Sequence, residues 1–449
     1  MSETRADLAL SYRKVWRLAG PIILSNISVP LVGAVDTAVV GHLPEAQYIG
    51  AVALGALIFS FLYWGFGFLR MGTTGFVAQA YGAGNWRELS DTLIRALLLA
   101  VALGLLTIAV GWPLIEFALH LLQSSAAVES LARDYAHIRI WSAPAVLCVY
   151  VFTGVFFGLH NMRAAFVLQL VLNISNMLLD LLFVLGFGWG VEGVALASLI
   201  AEYLAMLVGF YLLRYQIKNA LRSFSRARLL ERAALAKLFQ ANSNIFIRTL
   251  CLLFAFSYFT AKGAQQGEVI LAANAILLHL QSIMAYGLDG FATAAEALAG
   301  SAYGAGKRRV FRRAVLLTSI WAAIFALLIG LVYLLLGEVI IGLFTNIDAV
   351  AASALQFLPW MVAAPIISIW SFQLDGIFIG VSHTREMRNA MIVSLVAYLA
   401  LLQWTIPAFG NHGLFLGLMC FMLIRALSLL FYFPGIEASI RADDYDNTD

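Results

Sequence analysis

The sequence predicts an all-α polytopic membrane protein with twelve transmembrane helices in two related bundles of six. Three observations support this. Apolar residues make up 62% of the 449 residues and charged residues only 12%, twelve long apolar runs follow one another, and the second half repeats motifs of the first. A soluble domain usually carries about 25% charged residues. The composition therefore excludes a soluble enzyme, a disordered protein and a fibrous repeat.

Each apolar run is long enough to cross the hydrocarbon core, which takes about 20 residues in a helix. Each ends at charged residues or at a glycine or proline cluster. Backbone amides in lipid must bond within their own segment, so the runs are predicted as helices. The predicted spans are 15–41, 47–70, 92–116, 134–158, 163–186, 190–214, 234–261, 268–296, 313–343, 352–380, 387–408 and 412–434.

The residues between the runs set the order of the elements. A polar N-terminus precedes span 1, a Tyr-Gly-Ala-Gly element follows span 2, and a Gly-x-Phe-x-Gly element ends span 4. The charged stretch 214–237 separates spans 6 and 7, after which the same two elements recur after span 8 and at the end of span 10. The predicted division is a cytoplasmic N-terminus at 1–14, an N-lobe at 15–214, a linker at 215–233, a C-lobe at 234–434 and a cytoplasmic tail at 435–449.

Basic residues indicate the orientation. They concentrate in the N-terminal segment and in the even-numbered connections, most densely at 214–237. By the positive-inside rule both termini are cytoplasmic, and an even number of spans requires the same result. Arg133, Arg139 and Lys262 are the exceptions, because they fall in the otherwise bare odd-numbered connections.

The two halves are related by a shift of 222 residues. Ala80–Gly84 then falls on Ala302–Gly306, and Gly154–Gly158 falls on Gly376–Gly380. A repeat unit with an even number of spans starts each half on the same face, so the halves are parallel repeats. Two such bundles enclose a cleft. When one bundle rocks against the other, the cleft is exposed to each side of the membrane in turn. The repeat therefore predicts a transporter.

Ionisable groups inside a bilayer are costly and usually mark a pathway or a site. Asp36 lies in span 1 and Asp180 in span 5. Asn173, Asn176 and Asp180 are spaced by three and four residues, which places them on one helix face. They are candidates to hold a proton or an ion. A polar stripe that bonds neighbouring helices is the structural alternative.

The second half does not repeat this acidic pair, because Tyr258 and Leu402 stand at the equivalent positions. Its own acids, Asp289, Glu296 and Asp375, are secondary candidates for coupling. For Asp289 and Glu296, ion pairs with the basic cluster at 307–313 are the alternative. We expect the intramembrane arginines Arg248 and Arg425 to pair with acids, for which Glu202 is one candidate.

Other features are less specific. Pro21 and Pro30 interrupt span 1 before Asp36, where a helix can bend or hold a static kink. The three cysteines and seven histidines show no metal-ligand spacing, and the glycine motifs lack the strand context of a nucleotide loop. We expect no cofactor, no metal site of its own and no catalytic residues.

Several motifs together resemble the multidrug and toxic compound extrusion (MATE) family, in its DinF branch. The resemblance runs from about Arg17 to about Phe433. It is carried, in order, by Gly20-Pro21, Val35-Asp36-Thr37-Ala38-Val39-Val40-Gly41-His42-Leu43, Gln79–Gly84, Asn176-Met177-Leu178-Leu179-Asp180, Leu288–Glu296 and Leu374–Gly380.

The resemblance implies a V-shaped, two-lobed, cation-coupled exporter. It implies that Asp36, Asn176 and Asp180 take up the coupling cation. It also implies that the hydroxyl of Ser198, which stands where relatives often have threonine, joins them, and that Pro21 permits bending. Another branch of the family uses acids of the C-lobe for sodium, which would involve Asp289 and Asp375.

The predicted function is a secondary antiporter that exports amphipathic, often cationic, organic compounds in exchange for protons. Sodium at Asp36, Asn176 and Asp180 is one alternative, and a flippase for lipid-linked precursors is another. A membrane-embedded enzyme would need a nucleophile–base pair, which is not seen. The expected partners are small organic substrates, H⁺ or Na⁺, and the lipid bilayer, without nucleic acid. We expect a monomer in the bacterial inner membrane.

Overall fold

The computed structural model describes residues 11–41, 46–122, 124–222 and 225–440. Within the first two helices it describes the backbone but not the side chains of residues 29–32, 34, 36, 37 and 46. Every regular element in these ranges is a helix, which confirms the all-α prediction.

Sixteen α-helices form the described part of the chain. A 3₁₀ turn (Ile140–Ser142) and a π-helical segment (Leu181–Gly186) interrupt the series. The α-helices are α1 (Tyr12–Val40), α2 (Ala46–Gly65), α3 (Phe68–Gly82), α4 (Trp86–Leu122), α5 (Ala126–Arg139), α6 (Ala143–Gly158), α7 (Met162–Asp180), α8 (Val191–Leu212), α9 (Arg214–Arg222), α10 (Arg226–Leu229), α11 (Arg232–Ala264), α12 (Glu268–Gly304), α13 (Arg308–Phe344), α14 (Asp348–Gly380), α15 (Thr384–Phe409) and α16 (Asn411–Ser439).

Eleven helical stretches in the described ranges are long and apolar enough to cross a membrane, and they correspond to predicted spans 2 to 12. Predicted span 1 corresponds to α1, which has 29 residues. Several helices continue past their apolar runs; α4, for example, has 37 residues. This happens because apolar composition marks only the part of a helix inside hydrocarbon. The predicted span 2 is also interrupted, since α2 ends at Gly65 and α3 begins at Phe68.

The chain divides into two compact units. Among the described residues, one unit falls within 24–81 and 85–239, and the other within 240–440, 11–23 and 82–84. The division cuts α1 between Ile23 and Leu24. In the unit that contains α12, Trp16 stacks on Phe291 and Trp321 with ring centroids 5.6 and 5.3 Å apart.

The repeat extends to the backbone of the two halves. Gly84 and Gly306, 222 residues apart, both have positive φ, +65° and +70°. His160 and Ser382 are related by the same shift, and both have φ of 58°. Within the described ranges they are the two non-glycine residues with positive φ. Because such backbone is unfavourable for residues with a Cβ, its recurrence at one spacing indicates that the halves share one fold.

The Gly-x-Phe-x-Gly elements are positions where two helices pack closely. A Cβ on Gly376 would lie 2.2 Å from the carbonyl oxygen of Ala292, and one on Gly380 would lie 2.2 Å from that of Glu296. In the first half, a Cβ on Gly154 would lie 2.6 Å from the carbonyl oxygen of Arg70. These glycines bring α14 onto α12 and α6 onto α3 at backbone distance.

Candidate functional site

The three candidate residues of α7, Asn173, Asn176 and Asp180, all lie on its buried face. The exposed fraction is 7% for Asn173, 5% for Asn176 and 0% for Asp180. Their spacing by three and four residues explains the common face. Asp180 is also the last residue of α7, and the chain continues directly into the π-helical segment Leu181–Gly186. Such π-helical turns are rare and often occur at functional sites.

Two hydrogen bonds connect this face to neighbouring helices. The amide nitrogen of Asn176 donates to the hydroxyl of Ser198 on α8 at 3.1 Å. The amide nitrogen of Asn173 donates to the hydroxyl of Ser28 on α1 at 2.7 Å, and Gln169 donates to the amide oxygen of Asn173 at 2.8 Å. The structure thus brings Ser198 to Asn176, and the face of α7 bonds to both α1 and α8.

The backbone of Asp36 lies in α1, eight residues after Ser28. Its side chain, like that of Pro30, lies outside the described residues. Pro21 is half-buried within α1. It lies two residues before Ile23, where the boundary between the two compact units crosses the helix.

In the second half, one acid is held by two arginines. Asp375 is 4% exposed, and both Arg248 and Arg425 form ion pairs with it. Arg425 also donates from Nε to the other carboxylate oxygen at 3.3 Å. The two intramembrane arginines therefore share Asp375, whereas the sequence suggested Glu202 as one candidate partner.

The other two C-lobe acids differ in how deeply they are buried. Glu296 is 2% exposed, whereas Asp289 is half-buried. The basic cluster that follows α12 reaches a further acid, because Arg308 and Arg312 both pair with Glu437 on α16. Glu437 is not among the acids that the sequence singled out.

A buried ion pair in the first half was also missed. Arg139 at the end of α5 binds Glu202 on α8 through two contacts of 2.5 Å. Arg139 donates to the hydroxyl of Ser142 at 2.8 Å, and that hydroxyl bonds the phenol of Tyr63 at 2.9 Å. The guanidinium also lies over the ring of Phe59, 5.8 Å from its centroid.

A signal in the sequence pointed to this pair. Arg133 and Arg139 are exceptions to the positive-inside pattern, and each has acids beside it. Arg133 contacts Glu116 at 2.6 Å and Glu129 at 2.9 Å. A basic residue on the wrong side of a membrane is tolerated when an acid neutralises it, so such exceptions are worth testing as ion pairs.

In the described ranges, no group of three or more His, Cys, Asp or Glu side chains is placed to hold a metal ion. The three cysteines are free thiols; Cys148 is buried, and Cys251 and Cys420 are partly buried.

Comparisons with known proteins agree with the fold. The model of the family described as MatE matches residues 21–182 and 245–404. The DNA damage-inducible protein F of Escherichia coli (strain K12) is 43% identical over 430 residues, covering 94% of this chain and 92% of the relative.

Two more distant matches cover almost the whole chain. A probable multidrug resistance protein NorM of Idiomarina loihiensis is 23% identical over 442 residues, 93% of each chain. A solved structure described as the outward-facing conformation of a multidrug resistance MATE family transporter of the MOP superfamily superposes with a TM-score of 0.85. It is 20% identical and covers 95% of this chain and 96% of that one.

Proposed function

This chain belongs to the MATE family of multidrug and toxic compound efflux transporters, and we propose that it exports amphipathic, often cationic, organic compounds in exchange for protons. The observation that carries the proton proposal is the complete burial of Asp180, one turn from the Asn176–Ser198 hydrogen bond. The relatives are transporters, and we propose transport without catalytic chemistry.

The physical reason is the cost of a buried charge. An ionised carboxylate away from water is strongly disfavoured unless a cation or hydrogen bonds compensate it. A proton neutralises Asp180 directly and removes this cost. Uptake and release of that proton then change the charge of a fully enclosed group, which is what coupling to a gradient requires.

Asp36 is the proposed second carboxylate, and helix geometry supports its position. Spans 1 and 5 are both odd-numbered, so α1 and α7 run in the same direction across the membrane. Ser28 and Asn173 fix one common level through their 2.7 Å hydrogen bond. Asp36 lies eight residues beyond Ser28 and Asp180 seven beyond Asn173, which is about 12 and 10.5 Å of helix rise. The two acids should therefore lie at nearly the same depth.

The charges of the second half support coupling through the N-lobe. Asp375 is already neutralised by Arg248 and Arg425. To bind this carboxylate, a sodium ion would have to displace both guanidinium groups. Their positive charges would remain close to the ion and repel it. Asp289 and Glu296 remain secondary candidates, and sodium at Asp36, Asn176 and Asp180 remains the alternative coupling ion.

The same pairing weakens the flippase alternative. A site for a lipid-linked pyrophosphate requires exposed basic groups that bind its oxygens. The two intramembrane arginines of the second half, Arg248 and Arg425, are 8% and 2% exposed and are engaged with Asp375. Export of neutral or cationic compounds fits this distribution of charge better.

We propose alternating access that involves an N-lobe (15–214) and a C-lobe (234–434), with Pro21 as a bending point. The position of Pro21 two residues before the unit boundary in α1 supports this role. The protein is a multi-pass membrane protein. We propose that it lies in the bacterial inner membrane as a monomer, with both termini cytoplasmic.

The test is export from vesicles that contain the purified protein and a fluorescent lipophilic cation. A pH gradient and a sodium gradient are imposed separately. We expect the pH gradient alone to drive export and the sodium gradient alone, at equal pH on both sides, to leave it at the level of protein-free vesicles. Export driven by sodium alone would contradict proton coupling.

A further inference from the structure

The short helix α9 (Arg214–Arg222) carries three basic residues and no acid. Arg214, Lys218 and Arg222 follow one another at intervals of four, so they form a single stripe about 12 Å long on one side of the helix. All three are exposed. Like charges at this spacing repel each other along a helix, and a bound anion would relieve that repulsion.

An apolar stripe lies next to the basic one and completes a groove. The groove has a volume of about 510 Å³. The opposite side of α9 faces the protein, where Ala220 is 1% exposed. By contrast, Leu221 is 63% exposed although it is apolar. The residues that line the groove are Phe210, Arg214, Ile217, Lys218, Leu221 and Arg222.

Aromatic residues position the first of these cations. The guanidinium of Arg214 lies over the rings of Tyr211 and Tyr215, 4.3 and 4.6 Å from their centroids. Both tyrosines are about two-thirds exposed. Exposed tyrosines at the end of a spanning helix are typical of the headgroup level of a membrane. α9 follows directly after α8, so it begins at that level.

The acids of the described ranges do not neutralise the basic stripe. In the ranges that the structure describes, none of the three cations forms an ion pair with an acid. A second groove of similar size, about 480 Å³, lies among residues of α13, α14 and α16. There the lining includes both Arg312 and its ion-pair partner Glu437. The two grooves thus have similar volume and different net charge.

We propose that α9 and the end of α8 form a binding site for an anionic phospholipid. Arg214, Lys218 and Arg222 bind the phosphodiester of the headgroup, and Phe210, Ile217 and Leu221 contact the upper part of an acyl chain. Basic and apolar stripes side by side fit a lipid, which presents both chemistries together. A soluble anion would leave the apolar stripe exposed to water. The site is separate from the transport function proposed above.

The test is native mass spectrometry of the full-length protein released from micelles that contain equal amounts of phosphatidylglycerol and phosphatidylcholine. We expect the protein to retain phosphatidylglycerol in preference to phosphatidylcholine. The triple variant R214Q/K218Q/R222Q should lose about a hundredfold in retention, since each of the three basic residues near an anionic surface contributes about fivefold. Leu221→Gln, which keeps all three charges, should also lower retention.

Arg312→Gln is the matched control, because it removes one exposed cation from the groove that already contains Glu437. It should leave retention unchanged. Equal retention of both lipids by the wild type, or wild-type retention by the triple variant, would overturn the proposal. Displacement of the lipid by inorganic phosphate at millimolar concentration would assign the site to a soluble anion instead. Lys218→Gln alone, expected to lower retention about fivefold, decides the question if the triple variant does not fold.

Discussion

Buried acids in this protein have different surroundings, and the surroundings indicate different roles. Glu202 is bound by Arg139, and Asp375 is bound by Arg248 and Arg425. Asp180 lies one turn from an amide and a hydroxyl. A carboxylate that a guanidinium neutralises permanently stabilises a packing arrangement. A fully buried carboxylate such as Asp180, whose ionised form is costly away from water, is the better candidate to exchange a proton.

Asp375→Asn should reduce stability more than it changes coupling. The substitution leaves Arg248 and Arg425 buried without their acid, and breaking a buried pair in this way costs about 3–5 kcal/mol. Thermal unfolding in detergent measures the effect. Glu116→Gln is the control, because the Glu116–Arg133 pair is partly exposed and exposed pairs contribute about 0–1 kcal/mol. Equal melting temperatures of the two variants would contradict a structural role for Asp375.

The sequence predicted the polar face of α7 because residue spacing alone determines which residues share a helix face. It did not predict which acid meets which arginine. Arg139 and Glu202 are 63 residues apart, and their contact depends on how α5 packs against α8. Contacts of this kind depend on helix packing, which hydropathy and periodicity in a single chain do not encode.

At the scale of elements, close-packed glycines determine how near two helices come. Gly376→Ala should destabilise the protein, because the new Cβ would overlap the carbonyl oxygen of Ala292 on α12. Overpacking of this kind typically costs about 1–3 kcal/mol.

Gly342→Ala is the matched control for that substitution, since a Cβ at Gly342 on α13 meets nothing within 4 Å. Alanine also favours a helix interior by about 0.5–1 kcal/mol. Thermal unfolding should therefore show a lower melting temperature for Gly376→Ala and an equal or higher one for Gly342→Ala. Equal losses in both would contradict the packing role.

Pro21→Ala should leave the protein folded and slow its transport. Proline removes a backbone hydrogen bond from α1 and permits a bend, and alanine restores that bond and stiffens the helix. The initial rate of export in vesicles measures the effect. Pro407→Ala in α15 is the control, because the unit boundary does not cross that helix. A wild-type rate for Pro21→Ala would show that bending at this residue is not required.

The apolar runs of the sequence predicted where the helices lie, but they did not predict the residues at which the helices begin and end. Charged residues continue a helix once it leaves the hydrocarbon, so α4 begins at Trp86 although its apolar run begins at residue 92. The interruption between α2 and α3 also escaped prediction, because glycine residues there lie within an otherwise apolar run.

At the scale of the whole molecule, the repeat and the charge pattern predict topology together. In a cysteine-free background, Ser130→Cys should react with an impermeant thiol reagent added outside intact cells, because it lies in the 118–132 connection. Ala227→Cys, between the two lobes, should react only after the membrane is permeabilised. Labelling of Ala227→Cys in intact cells would contradict the cytoplasmic position of the linker.

The central claim, that the N-lobe acids carry the proton, is tested most directly by export driven by a pH gradient in vesicles that contain single asparagine variants. Asparagine resembles the protonated acid in shape and cannot titrate. We predict that Asp36→Asn and Asp180→Asn are folded and export no faster than protein-free vesicles, whereas Asp289→Asn in the C-lobe retains gradient-driven export. Wild-type rates and pH dependence in both N-lobe variants, with loss of export in Asp289→Asn, would contradict the account and move the coupling site to the C-lobe.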